Sequence, residues 1–166
     1  MSLDNLHLPP VVLQELFNHS LIGLMVEKKW DEKKFSTIFS TLGNNRKNIL
    51  ILVENEETPY LPDDQLNLLL GILAACNLTM DDVAILNIKR NKPVTYKSVT
   101  AELKSEKLFL FGVNPFQIDL PLDFPNYQVQ QFNNQIYLSA PPLSHFQDNK
   151  VEKTKLWNCL RQIFQL

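Results

Sequence analysis

The spacing of apolar residues along the chain predicts an alternation of strands and helices. Two short apolar runs, 49–53 and 108–111, are continuous and rich in branched or aromatic residues, as is typical of strands buried on both faces of a parallel sheet. Residues 83–88 are a third strand candidate, interrupted only by Asn87. Residues 136–138 are a fourth strand candidate, and residues 127–132 alternate as a short edge segment would. We therefore expect an α/β fold with three α/β/α layers around a four-stranded, mostly parallel sheet.

Helical periodicity predicts the elements between these strands. An amphipathic helix is expected over 62–77, a second begins after the N-cap residue Thr95, and a third spans 148–164. The segment 79–82 is predicted to form a single capped turn before the strand at 83. The buried stripe of the first helix is predicted to consist of Leu66, Leu69, Leu70 and Leu73.

Two further helices are expected before the first strand. Pro9 and Pro10 open a helical pattern whose apolar positions are Leu13, Leu16, Phe17 and Leu21. A second helix is predicted from Asp31 to Leu42, with Gly43 as its C-terminal stop. The apolar stripe of the first helix fits either packing on the protein's own core or docking in a partner's groove. The chain is expected to be a single domain, 1–166, with a helical segment over 1–43 and an α/β core over 48–166.

Composition and charge narrow the classes of function. The chain has 166 residues, 45% of them hydrophobic and 20% charged, and its formal net charge is −2. The densest charged run, 27–34, mixes both signs, so no basic cluster is present and we expect weak or no direct binding to nucleic acid. Cys76 and Cys159 lie in apolar stretches without metal-ligand neighbours, which predicts buried free thiols and no metal site.

The chain also lacks the features of exported or membrane proteins. No charged N-terminal region precedes an apolar one, and no apolar run reaches the roughly 18 residues of a membrane helix. These patterns predict a cytoplasmic protein with no membrane contact.

Four strand-end segments resemble the motifs of the uracil-DNA glycosylase family. The motif after the first strand in that family, G-Q-D-P-Y, is similar to Thr58-Pro59-Tyr60, and L-L-N is similar to Ile85-Leu86-Asn87. A third strand ends in a glycine, Gly112, and the fourth motif, S-x-H-P-S-P-L-S, is similar to 139–144, which reads S-A-P-P-L-S. The resemblance implies that family's fold. The candidate crevice residues are Glu56, Thr58, Tyr60, Asn87, Gly112, Asn114 and Ala140.

The catalytic residues of that family have no counterpart at the matching positions. The resemblance implies an aspartate that positions water where Thr58 stands, and a histidine that stabilises the leaving base where Ala140 stands. The pattern therefore does not support an active hydrolase, and we expect no catalytic residue and no cofactor. Three alternatives stay open: His145 replaces the missing histidine, Glu56 or Glu57 activates water, and Asn87 bonds a base edge rather than capping its strand.

The order of elements resembles a second family of the same fold, the psi subunit of bacterial DNA polymerase III holoenzyme. The similarity lies in the turn 79–83, the A-P-x-L-like element 140–143 and the K-x-x-L-W pattern at 153–157. It implies a non-catalytic DNA replication subunit whose N-terminal segment, here Leu13, Leu16, Phe17 and Leu21, docks on the clamp loader, and whose body binds a chi-like subunit. The alternatives are a diverged glycosylase-like enzyme and a nucleobase-binding protein.

Overall fold

The structure, a computed structural model, describes residues 39–91 and 93–166. The predicted helix carrying Leu13, Leu16, Phe17 and Leu21 lies outside the described residues, as does residue 92. The prediction of a single domain over 1–166 therefore stays a prediction. The described part confirms an α/β fold, with a mixed sheet of six strands and with three α-helices.

The sheet contains four parallel central strands and two antiparallel edge strands. The strands are β1 (Thr41–Leu42), β2 (Ile49–Val53), β3 (Val83–Asn87), β4 (Lys107–Phe111), β5 (Val129–Phe132) and β6 (Gln135–Ala140), in the order β1-β3-β2-β4-β6-β5. β2 pairs in parallel with β3 and β4, and β4 pairs in parallel with β6. The expected count of four strands is therefore too low, because both edges carry an added antiparallel strand.

The predicted helix from Asp31 to Leu42 is wrong at its C-terminal end. Residues 31–38 lie outside the described part, but Thr41 and Leu42 form β1 and pair with Leu86 and Ile85 of β3. The spacing of apolar residues that suggested a helix gives no information about this pairing, because the partner strand lies more than 40 residues away in sequence. Gly43 ends the strand with φ +102°, a conformation in which a Cβ atom would lie 2.3 Å from the carbonyl oxygen of Val83.

Two α-helices connect strands and a third follows β6, and the positions of all three agree with the predictions. They are α1 (Asp63–Ala75), α2 (Tyr96–Leu103) and α3 (Lys150–Phe164). Thr95 caps α2 by accepting a hydrogen bond from the backbone N–H of Ser98 at 3.1 Å. Asn149 caps α3 in the same way, accepting from the N–H of Glu152 at 3.2 Å. The predicted turn is also present, as the 3-10 turn Met80–Asp82.

The helices cover both faces of the sheet, which produces two apolar cores. α1 and α3 pack on the face formed by alternate residues such as Ile49, Ile51 and Val53, while α2 packs on the opposite face. Cys76 and Cys159 are buried free thiols, as predicted, and burial raises the pKa of each. Leu70, which the sequence places in the buried stripe of α1, is instead 37% exposed. No helix in the described ranges is long and apolar enough to cross a membrane.

Candidate functional site

The carboxyl ends of the four parallel strands meet along one side of the sheet. The chain places β3 on one side of β2 and β4 on the other, so the switch in strand order lies between β2 and β4. In open α/β sheets this is where ligands bind, because the loops diverge there and leave a crevice. The predicted crevice residues follow these strand ends, and their surroundings decide which of them can reach a ligand.

Asn87 closes β3 with a fully buried side chain whose amide holds the loop after β2. Its Nδ2 donates to the carbonyl oxygens of Asn55, Thr58 and Pro59 at 2.7, 3.1 and 3.2 Å. Its Oδ1 accepts from the backbone N–H groups of Asn55 and Lys89 at 3.2 and 3.1 Å. Both polar atoms of the amide are therefore bonded to backbone, which is the strand-end cap and not a group presented to a base edge.

A charged network lies at the switch point itself. The ammonium group of Lys89 lies 2.8 Å from Glu54 Oε1 and 3.4 Å from Glu56 Oε1. The other carboxylate oxygen of Glu54 accepts from Gln117 Nε2 at 3.1 Å, which links the loop after β2 to the loop after β4. The hydrogen bond to Glu54 raises the pKa of Lys89, so the ammonium form is favoured. These contacts join side chains of the segments that follow β2, β3 and β4.

The other predicted residues of the loop after β2 have different surroundings. Glu56 and Glu57 are exposed, and the backbone N–H groups of Glu57 and Thr58 both donate to Asn55 Oδ1. The Oγ1 of Thr58 is buried with no hydrogen-bond partner in the described part of the chain. Tyr60 shares a hydrogen bond of 2.9 Å with Ser40. Asn55 therefore organises this loop through its side-chain amide oxygen.

Gly112 and Asn114 shape the loop after β4. Gly112 has φ +68°, and a Cβ atom there would lie 2.7 Å from Cγ of Pro142, so the close approach of the two loops requires glycine. Asn114 caps the 3-10 turn Pro115–Ile118 by accepting from the N–H of Phe116 at 3.0 Å. Phe116 itself is 60% exposed.

The three predicted residues Gly112, Asn114 and Ala140 line one concavity of about 570 Å³ beside the ends of β4 and β6. Ala140 is 3% exposed and packs in the apolar core, so its methyl group forms part of the wall. The other four predicted residues, Glu56, Thr58, Tyr60 and Asn87, are not among the residues lining this concavity. The structure therefore brings together three of the seven predicted residues.

Four polar residues of the concavity, Asp123, Asn126, Ser139 and His145, were absent from the predicted set of crevice residues. Ser139 is buried and its Oγ donates to Oδ1 of Asn126 at 2.9 Å, while Asp123 lies on the exposed rim. His145 also lines the concavity, together with Ala140, the position at which the glycosylase resemblance implies a histidine. The 3-10 turn Leu143–Phe146 explains this, because it folds the chain back after Pro142. The available signal was the pair Pro141-Pro142 directly before this turn.

A second concavity of about 410 Å³ lies between α1 and α3, on the covered face of the sheet. Its walls are mostly apolar, with Asn67 and Lys153 as the polar members. We call it the α1–α3 groove; it is lined by Asn67, Leu68, Gly71, Ile72, Ala75, Lys153, Leu156, Trp157 and Leu160. No atom lies within 4 Å of a Cβ built on Gly71, so this glycine leaves open space in the groove. The sequence signal was the pair of small residues, Gly71 and Ala75, one helical turn apart.

No group of three or more His, Cys, Asp or Glu side chains in residues 39–91 and 93–166 is arranged to hold a metal ion. Comparison with known proteins adds no assignment: no protein-family model matches the chain, and no curated protein matches it.

Proposed function

We propose that this chain is a non-catalytic protein-interaction subunit of a DNA replication complex, resembling the polymerase III psi subunit. The observation that carries the proposal is the bonding of Asn87, whose amide donates to three carbonyl oxygens and accepts from two backbone N–H groups. A polar group at a strand end that is fully bonded to backbone stabilises a loop and has no free position for substrate.

The position that the glycosylase resemblance assigns to histidine supports the same proposal. Ala140 is buried in the apolar core, and a methyl group cannot donate a hydrogen bond to a departing base. At the switch point, Glu54 is bonded to Lys89 and Gln117, so the usual place for a ligand contains paired side chains. The finer fold that we propose, that of the uracil-DNA glycosylases, would then serve as a scaffold without its chemistry.

The α1–α3 groove is the surface that we assign to the partner. Lys153, Leu156 and Trp157 line it, and these are the residues of the K-x-x-L-W pattern in the psi resemblance. Apolar walls with one lysine suit an apolar helix face that carries a carboxylate opposite Lys153. We propose a chi-like subunit as this partner and the clamp loader as the partner of Leu13, Leu16, Phe17 and Leu21, in the cytoplasm.

A binding measurement with purified proteins tests the proposal. The full chain is immobilised, and a reconstituted clamp loader and a chi-like subunit are passed over it. Gly71→Met adds a side chain to the groove at a position where a Cβ meets open space, and methionine favours a helix more than glycine does. Ala74→Met is the matched control, since Ala74 is exposed on the same helix and does not line the groove.

We expect the wild type and Ala74→Met to bind the chi-like subunit equally, and Gly71→Met to bind it at least about tenfold more weakly. Binding to the clamp loader should be unchanged by both substitutions. Absence of binding to every replication component would contradict the proposed function. Equal binding by all three proteins would contradict the assignment of the groove while leaving the function supported.

The concavity beside β4 and β6 favours a second candidate function, nucleobase binding with or without glycosylase activity. It combines His145, Ser139 and Asn126 in a space of about 570 Å³, which suits a small ring with hydrogen-bonding edges. Free nucleobases should then raise the melting temperature, and uracil should be released from single-stranded DNA if the site is active. Both effects should disappear in His145→Ala and persist in the control Ser144→Ala; no shift and no release would exclude this candidate.

A further inference from the structure

The two edges of the sheet differ in how they are protected. β1 has two residues, and the backbone N–H groups just before it are bonded by side chains: Phe39 to Glu102 and Ser40 to Asn91, each at 2.8 Å. β5 is longer, and within the described ranges no strand pairs with its outer side. An unpaired edge of this kind is a template for a further strand.

The backbone groups that face outward from β5 follow from the hydrogen bonds of its neighbour. Gly112 donates to the carbonyl of Ala140, and Ile136 donates to the carbonyl of Glu106, so the even-numbered residues of β6 bond to the β4 side. Ser139 accepts from the N–H of Tyr127 on the β5 side. Tyr137, an odd-numbered residue of β6, therefore bonds toward β5, and its partner Gln130 directs its own N–H and C=O groups toward β6. Because successive residues of a strand direct these groups to opposite sides, the N–H and C=O groups of Val129 and Gln131 point outward.

The hairpin that forms this edge has none of the charged side chains that usually prevent strand pairing. Residues 124–147 contain no Asp, Glu, Lys or Arg, although 20% of the whole chain is charged. Proteins normally place lysines or other charged side chains on such edges, because a charge blocks the approach of a second strand. The hairpin is also well defined: Asn133 and Asn134 have φ of 49° and 64°, as a two-residue turn requires.

We infer that β5 pairs with β5 of a second copy of this chain, antiparallel, and so joins two sheets into one. We place a two-fold axis perpendicular to the sheet, so that each face of one sheet continues into the same face of the other. In this arrangement, side chains that lie opposite each other across the two β5 strands point to the same face. With the axis at Gln130, Val129 lies opposite Gln131 of the other copy, and both have outward backbone groups. This register therefore satisfies the outward donors and acceptors of both strands.

The side chains along this register favour self-association. Gln130 lies opposite its own copy in a non-hydrogen-bonded pair, where the Cβ atoms approach to about 5 Å. Two amides at this distance can bond to each other, since each carries both donors and an acceptor. The proposal is independent of the function proposed above, because it uses neither the groove nor the strand-end loops.

Sedimentation velocity of the full chain, over a range of concentrations, tests the inference. Gln130→Lys and Gln130→Glu each place like charges together at the axis, and Gln162→Lys is the control, since Gln162 is exposed on α3. We expect the wild type and the control to form dimers of equal strength. Each Gln130 variant should raise the dimer dissociation constant about tenfold, because two like charges lie about 5 Å apart.

Mixing the two variants supplies the decisive measurement. Lysine opposite glutamate should restore a heterodimer at least as tight as the wild-type dimer. A wild-type chain that stays monomeric at all concentrations would overturn the inference, as would a Gln130→Lys dimer as tight as the wild type. It would also be overturned if the mixture associated no more strongly than either variant alone.

Discussion

Asn87 shows how one buried amide can settle the use of a strand end. The Nδ2 of Asn87 donates to backbone carbonyl groups and its Oδ1 accepts from backbone N–H groups, so neither polar atom is free. Asn87 resembles a ligand-binding asparagine in sequence, but its side chain holds the loop from Asn55 to Pro59. A glycine acts similarly at the end of β4, where Gly112 permits the contact with Pro142. Both residues therefore fix the conformation of loops at the strand ends, and substitutions at either should change the free energy of unfolding.

Asn87→Ala should lower the free energy of unfolding by about 3 kcal/mol, because it leaves buried carbonyl and N–H groups without partners. Urea denaturation followed by circular dichroism gives the value. Asn158→Ala, an exposed position in α3, is the control and should change stability by no more than about 0.5 kcal/mol. A loss below about 1 kcal/mol for Asn87→Ala would mean that water replaces the amide.

The two glycines Gly112 and Gly71 should respond to alanine in opposite directions. Gly112→Ala should destabilise the protein by about 2 kcal/mol, because φ is +68° and the new Cβ would lie 2.7 Å from Pro142. Gly71→Ala should stabilise it by about 1 kcal/mol, since the site is helical and the Cβ meets open space. Thermal melts of both variants check the signs. The same sign for both would contradict the conformations described for these two glycines.

At the scale of elements, the contact between α3 and the chain before β5 depends on a polar cluster. Tyr127, at φ 64°, donates a hydrogen bond from its hydroxyl to Glu152, and Lys155 donates to the same carboxylate at 2.8 Å. Cys159 donates from Sγ to the carbonyl of Tyr127 at 3.2 Å. The hydrogen bonds from Lys155 and Tyr127 lower the pKa of Glu152, and burial followed by the bond to Glu152 raises that of Tyr127.

Because of this cluster, the free energy of unfolding should depend on pH, and the lowered pKa of Glu152 sets the direction. A carboxyl group whose pKa is lower in the folded state contributes stability above its unfolded pKa, near 4.3, and loses it as the pH falls through the folded value. The melting temperature of the wild type should therefore fall more steeply than that of Glu152→Gln as the pH drops below about 4.3. Parallel curves for the two proteins would show that the cluster contributes nothing.

At the scale of the whole molecule, charge limits the kinds of partner. The formal net charge is −2, with 16 basic and 18 acidic side chains, and protein affinity for a phosphate backbone comes from clustered lysine and arginine. The α1–α3 groove is mostly apolar with a single lysine, and β5 carries no charged side chain, so both suit proteins better than nucleic acid.

The full chain should accordingly show no saturable binding to a labelled single-stranded oligonucleotide in fluorescence anisotropy, even at low salt. A replication single-strand-binding protein measured beside it provides the positive control. Tight binding that weakens steeply with added salt would contradict this prediction, because such a slope counts phosphates neutralised by the protein.

The sequence by itself determined the identity and order of the elements from β2 to α3. Continuous branched runs specify buried strands, and residues such as Thr95 and Asn149 specify helix starts, because both signals act over a few neighbouring positions. Tertiary structure alone decided the strand β1, the exposure of Leu70, the bonding of Asn87 and the meeting of His145 with Ala140 in one concavity. Each of these depends on a contact between distant parts of the chain, and local periodicity carries no information about which distant backbone or side chain will be adjacent.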